Sequence, residues 1–262
     1  MGVVNVTPDS FSDGGRFEDA EAALAHAVRL IEEGADILDV GGESTRPGAA
    51  PVAVEEELRR VLPVIRQLRD VPVSVDTRRP EVMRAALDQG ASMINDVEAL
   101  TAPGATDAVA SSECAVCLMH KKGDPATMQR DPHYDDVVVE VLTFLENRMK
   151  AAVEAGIARD RIVLDPGFGF GKTLQHNMTL LRNLERFKSL GAPILAGWSR
   201  KSSLGEITGR PVLTNEAERL PASLAMALLS LQCGATILRV HDVKETRDVV
   251  EVWRAFKGTA RA

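Results

Sequence analysis

The stretch Leu30-Ile31-Glu32-Glu33-Gly34-Ala35-Asp36-Ile37-Leu38-Asp39-Val40-Gly41-Gly42-Glu43-Ser44-Thr45-Arg46-Pro47-Gly48 decides the fold. It reads as the end of a helix, a Gly-Ala stop, a short apolar strand and a polar, glycine-rich loop. The helix ahead of it, Ala20 to Glu33, carries Leu24, Val28 and Ile31 at spacings of three and four, one apolar stripe. The same stop recurs before a strand at Gly90-Ala91, Gly191-Ala192 and Gly234-Ala235. Working outward, strand patterns fall at Val3–Val6, Ile37–Val40, Val73–Asp76, Met93–Asn95, Val116–Met119, Ile162–Asp165, Pro193–Gly197 and Thr236–Val240. Helical patterns lie between them, at Val54–Leu68 with a kink expected at Pro63, then Val137–Val153, Leu180–Phe187, Ala222–Leu231 and Val243–Phe256. Alternating strands and helices predict a parallel α/β fold. Eight strands favour a closed (β/α)8 TIM barrel over an open sheet, and 262 residues suit one such domain spanning 1–262.

Composition sets the outer bounds. With 45% apolar and 26% charged residues the chain has an ordinary globular balance. A net charge of −7 argues against nucleic acid or anionic membrane as partners, so any anionic substrate must be held by local Arg and Lys. No apolar run is long enough to span a bilayer, and no signal peptide is read at Met1. The three cysteines, Cys114, Cys117 and Cys233, are expected as reduced thiols of a cytoplasmic protein. Cys114 and Cys117 have the spacing of a zinc or redox pair, but they lie on a strand, where residues three apart face opposite ways.

The unusual residues follow the strands rather than the helices. They are Asn5 to Gly15, Asp39 to Gly48, Asp76-Thr77, Asn95-Asp96, Met119-His120, Asp165 to Thr173, Ser199 to Ser202, and Arg239 to Asp242. In a barrel these segments share one face, where active sites are built. Gly167 to Thr173 imitates a nucleotide-binding loop, but the glycine required five positions before Gly171 is Pro166. Its glycines instead let backbone approach a ligand or a neighbouring strand. Asp39, Asp76 and Asp165 each end a strand. Any one alone reads best as a cap or ion pair, with Asp76 a fair N-cap for the helix that begins near Pro80. Together they would suit Mg²⁺ better than Zn²⁺. Repetition favours a site, because Asp76, Asn95, Asp165, Lys201 and Arg239 would converge on one axis. Ser199 to Ser203 opens a helix whose N-terminus could meet an anion. Arg239 and His241, two apart, project to one side and suit a diphosphate clamp. His26, His133 and His176 are expected on solvated helices or loops.

The segments Asn5–Gly15, Leu38–Gly48, Ser74–Thr77, Ile94–Val97, Met119–His120, Asp165–Thr173, Ser199–Gly205 and Arg239–Val243 together resemble the signature segments of the dihydropteroate synthase family, in order and over the full length. The resemblance implies a (β/α)8 barrel that joins 6-hydroxymethyl-7,8-dihydropterin diphosphate to 4-aminobenzoate, releasing pyrophosphate and 7,8-dihydropteroate. It implies that Asp76, Asn95, Met119, Asp165 and Lys201 bind the pterin, and that Asn5, Arg46, Arg239 and His241 bind the diphosphate. Mg²⁺ would be the cofactor, with Asn5 its protein ligand. Asn5, Lys201, Arg239 and His241 would be catalytic. Phe11, Thr45, Pro47, Phe170, Ser199, Lys201 and Ser202 would form the aminobenzoate pocket, which makes the chain a sulfonamide target. A homodimer is expected, with the Pro221–Leu231 helix as its contact. Trp198 stands where relatives are often small and adjoins the pocket wall.

Two other readings remain open. A folate-binding methyltransferase barrel would keep Asp76, Asn95 and Asp165 but would not need Arg46, Arg239 and His241. A non-catalytic pterin-binding protein would not need the intact segment Asn5–Gly15.

Overall fold

The computed structural model describes residues 1–6, 16–43, 52–124, 127–210 and 216–258. Eight strands alternate with helices along them: β1 Gly2–Asn5, β2 Leu38–Gly41, β3 Val73–Asp76, β4 Met93–Asp96, β5 Ala115–Met119, β6 Ile162–Asp165, β7 Leu195–Ala196 and β8 Ile237–Leu238. β1 to β6 pair in order, all parallel, and β7 pairs with β8. Single parallel bridges, Leu164 to Ile194 and Gly2 to Val240, join the two pieces. Val3 N–H donates to Val240 O at 3.0 Å and Val240 N–H to Met1 O at 3.0 Å, so the ring of strands closes.

The strand periodicity of two separates two cores. Outward residues such as Val4, Leu38, Val40, Val75, Ile94, Leu118 and Leu164 pack against the helices. Inward residues form a small plug of Met1, Met93, Cys117, Val163 and Leu195, edged by Ile37, Ala115 and Ile237. Cys114, just before β5, lies in the outer core and Cys117 in the inner plug, both as free thiols on opposite sides of the strand. Above the plug the inward positions turn polar, and this end carries the site.

The helices are α1 Arg16–Glu32, α2 Val54–Gln67, α3 Pro80–Asp88, α4 Ala105–Ala110, α5 Val137–Glu154, α6 Leu174–Arg182, α7 Ser202–Ile207, α8 Leu220–Gln232 and α9 Val243–Lys257. α2 runs through Pro63 as one helix. Two differences from the sequence reading have local causes. The pattern read as Leu180–Phe187 divides into α6 and a 3₁₀ stretch, Leu184–Leu190, because Asn183 leaves helical geometry. Helices α3 and α4, nine and six residues long, are too short to announce themselves by periodicity. His133 is exposed, but His26 is half-buried against Val3 O and His176 completes a capping box with Thr173. No described helix is long and apolar enough to cross a membrane.

Candidate active site

Register builds the rim before any side chain is considered. Asn5 lies beside Gly41, Gly41 beside Asp76 and Asp76 beside Asn95, while Met119 lies beside Asp165. The strand-end residues singled out in the sequence are thereby brought to one mouth of the barrel. Asp76, Asn95, Met119 and Asp165 are all buried, and Asn5 is partly exposed.

Arg239 is the electrostatic centre. Its guanidinium donates to Asp39 Oδ2 at 2.6 Å and to Asp76 Oδ2 at 2.8 Å. Asn95 Nδ2 donates to the same Asp39 oxygen at 3.1 Å. Asp39 is fully buried and is the residue that sequence reasoning left outside the site. Its signal was present, a carboxylate at an inward position of an otherwise apolar strand, but its partner lies 200 residues away. Asp76 does not cap α3, whose N-cap is Arg79 with no side-chain cap bond. Nor do Asp39, Asp76 and Asp165 gather into a metal site. Two of them are bridged by Arg239, and no group of metal-ligating side chains occurs among the described residues.

Two carboxylates share this one guanidinium, which leaves excess negative charge in a buried place. Burial, with the Asp39 charge adding to it, pushes Asp76 up to about 7 against the pull of Arg239. Asp39 Oδ1 and Asp76 Oδ1 are buried with no hydrogen-bond partner. Such orphan acceptors are costly, so the site is built for a ligand rich in N–H donors.

Asp165 faces them across the barrel. Burial raises its pKa, while Lys201 and the Gly167 N–H, which donates to Asp165 Oδ1 at 2.7 Å, oppose the rise. Lys201, lowered to about 8 by burial, donates to Phe168 O and lies 4.7 Å from the centre of the Phe170 ring. The residue before it, Arg200, sits at φ 59°, its N–H donating to Ser223 Oγ at 3.1 Å, its C=O accepting from Arg219 at 2.9 Å and its guanidinium paired with Asp242 at 2.5 Å. That left-handed backbone is uncommon for a side-chain-bearing residue and fixes where Lys201 starts.

The expected Arg239–His241 clamp is looser than the sequence implied. Arg239 turns inward to the acids, whereas His241 stands by Ser199, with its N–H 3.1 Å and its Nδ1 3.0 Å from the Ser199 hydroxyl. Ser199 thus supports His241 directly. Ser202 is exposed at the first turn of α7, and no side chain caps that helix. Trp198 stacks on Phe168 with ring centres 4.5 Å apart, within the outer core. Phe11, Thr45, Arg46 and Pro47 lie outside the described residues.

Fold and site together define a class, a (β/α)8 barrel whose mouth gathers buried carboxylates and an amide beside Arg239 and Lys201. Residues 1–241 match the family model for pterin binding enzymes. The chain is 49% identical over 265 residues to dihydropteroate synthase of Escherichia coli, covering 100% of this chain and 92% of that one. It is 53% identical over 264 residues to the enzyme of Neisseria meningitidis, covering 98% and 92%. Among solved structures, Xanthomonas albilineans dihydropteroate synthase with 4-aminobenzoic acid matches with a TM-score of 0.93 and 57% identity, over 99% of this chain and 93% of that one. The chain belongs to the pterin binding enzymes, within their dihydropteroate synthase family.

Proposed function

We infer that this chain is a transferase of folate biosynthesis that condenses 6-hydroxymethyl-7,8-dihydropterin diphosphate with 4-aminobenzoate, giving 7,8-dihydropteroate and pyrophosphate. Its similarity to a Xanthomonas albilineans dihydropteroate synthase in complex with 7,8-dihydropteroate, 54% identical with a TM-score of 0.89 over 99% of this chain and 94% of that one, supports the substrate class. The observation in this chain that carries the reading is the pair of orphaned buried oxygens, Asp39 Oδ1 and Asp76 Oδ1, beside Asn95 and opposite Asp165.

The pterin's amino-pyrimidinone edge offers adjacent N–H donors to Asp165, whose second oxygen is not the one bound to Gly167. Asn95 serves the mixed donor-acceptor edge, Asp76 the remaining donors, and Met119 packs against the ring. Lys201 donates toward the ring carbonyl. The diphosphate lies toward Asn5, Arg46, Arg239 and His241. As pyrophosphate departs, its charge is taken up by Arg239, His241 and Lys201, and the ring delocalises the cation left on its exocyclic methylene. The aminobenzoate amine then attacks that carbon, within a pocket of Phe11, Thr45, Pro47, Phe170, Ser199, Lys201 and Ser202. No covalent protein intermediate is required.

Mg²⁺ fits this donor set. Asn5 offers one hard oxygen at a partly exposed strand end, and a cation that keeps water and takes phosphate oxygens needs no all-protein cage. Bound there, it would supply charge neutralisation of the leaving group. The protein is proposed to act in the cytoplasm as a homodimer through α8. Leu229 on α8 is exposed, as are Val252 and Phe256 on α9, which packs beside it.

Pyrophosphate release is the test. It should require both substrates and fall sharply when a chelator removes Mg²⁺. Release with pterin diphosphate alone, at the full rate, would point to hydrolysis instead. A sulfonamide should compete with aminobenzoate and not with the pterin.

A further inference from the structure

The β6–α6 connection, residues 166–173, is tied down by a side chain that the reaction above does not use. Lys172 is 2% exposed. Its ammonium contacts Gly167 O at 2.9 Å, Phe170 O at 3.0 Å, His120 O at 3.3 Å and His120 Nδ1 at 2.9 Å. All four are neutral acceptors, since burial and the nearby Lys172 charge hold His120 unprotonated, its pKa down near 3. Burying this group is expensive: desolvation pulls Lys172 well below the usual lysine range, with the nearby Asp165 charge opposing the shift, and an apolar residue would fill the space at less cost. Loop closure alone does not account for it either. The chain already returns tightly here, because Gly167 and Gly171, both at positive φ, press so close that a Cβ on either would overlap the His120 or Lys122 carbonyl.

What distinguishes the four acceptors is where they stand. His120 follows Met119 at the end of β5, and Gly167 lies two residues beyond Asp165 at the end of β6. The Gly167 residue is held on both sides: its N–H donates to Asp165 Oδ1 at 2.7 Å and its C=O receives Lys172. Phe170, whose carbonyl also receives Lys172, presents its ring to Lys201. Three of the four Lys172 contacts thus lie within two residues of a group that faces the pterin, and the fourth holds Phe170, whose ring faces Lys201.

We propose that Lys172 is a positioning residue for pterin binding: it locks Gly167, and through it the Asp165 carboxylate, against the end of β5. This rests on the reading of the barrel mouth as a pterin site. With Gly167 held, its N–H fixes one Asp165 oxygen and leaves the other for the ligand. Without the ammonium, Gly167 can rotate its carbonyl toward other donors, and the carboxylate loses its set orientation.

A double-mutant cycle on calorimetric binding of pterin diphosphate tests this. Lys172→Met keeps the stem and removes the charge. It should weaken pterin binding roughly tenfold, about one lost hydrogen bond's worth of orientation, while KM for aminobenzoate changes less than about threefold. Combined with Asp165→Asn, it should add little to the loss from Asp165→Asn alone, because both act on one group. Additive losses, or unchanged pterin affinity in folded Lys172→Met, would overturn the proposal. If Lys172→Met fails to fold, His120 supplies the same comparison: His120→Asn keeps an acceptor near Nδ1 and should retain affinity, whereas His120→Leu should lose it. Equal affinities in those two variants would also overturn it. Absence of pterin binding to the unmodified protein would reject the pterin reading itself, a result separate from any failure in the variants.

Discussion

The arc of the barrel from β2 to β6 and the short remainder formed by β7 and β8 face the same mouth with opposite chemistry. The arc supplies Asp39, Asp76, Asn95 and Asp165 from in-register strands four residues long. The remainder, whose paired strands are two residues each, is followed by Lys201, Arg239 and His241. Acids and an amide suit a donor-rich ring, and cations suit a departing diphosphate, so each half matches one end of the same substrate. The halves are also unequal in how their charges are compensated. Arg239 crosses from one to the other and neutralises two carboxylates, whereas Asp165 and Lys201 interact across the mouth without a direct ion pair among the described contacts. The first arrangement makes the site part of the fold, and the second leaves groups disposed toward a ligand.

Breaking the crossing should have the largest effect. Arg239→Met leaves Asp39 and Asp76 buried without their cation, which should cost about 3–5 kcal/mol of stability. It should also abolish measurable turnover. Urea denaturation and pyrophosphate release check both, and a variant as stable as the parent would show that the bridge is not structural. Asp165→Asn should behave differently. Stability should hold, while pterin binding weakens by about 1.5–3 kcal/mol as a charged hydrogen-bond partner is lost. Titration calorimetry against a pterin analogue reads this directly, and an unchanged affinity would remove Asp165 from the pocket.

The pH dependence sharpens the same contrast. Asp76 is raised to about 7 in the folded protein, chiefly by burial. Between the unfolded value near 3.8 and that folded value, the native state keeps a proton that the unfolded chain has released. Its contribution to stability is therefore complete below the unfolded value and is lost as pH rises through about 7. From pH 5 to pH 8 the parent should lose on the order of 2 kcal/mol more stability than Asp76→Asn. Parallel denaturation midpoints for the two would break the prediction. The smallest effect is expected at Ser199→Ala. It removes the hydroxyl that meets both the N–H and the Nδ1 of His241, bonds worth about 0.5–1.5 kcal/mol each, and should lower kcat a few-fold with pterin affinity intact.

Much of this was legible because strands alternate and helices repeat. Asp76, Asn95, Asp165 and Arg239 stood out as polar residues ending apolar strands, and a parallel barrel has one place for such ends. Asp39 had the same mark but sits two residues below the rim position Gly41, so nothing local told of its contact with Arg239. Lys172 was hidden for the opposite reason: in a run of glycines it imitates a phosphate-binding lysine, and only the approach of β5 shows its ammonium buried on carbonyls.

The sequence by itself therefore determined the alternation of strands and helices, a parallel α/β class whose eight strands favour a closed barrel, the strand ends as candidates for the site, and the family resemblance. All of these follow from local periodicity, glycine stops and motifs read along the chain. The tertiary structure alone decided which charges neutralise one another. Arg239 meets Asp39 across 200 residues and Asp76 across 163. Such pairings depend on the register and closure of the barrel, which bring distant strand ends within hydrogen-bonding reach, and no window of local sequence contains both partners.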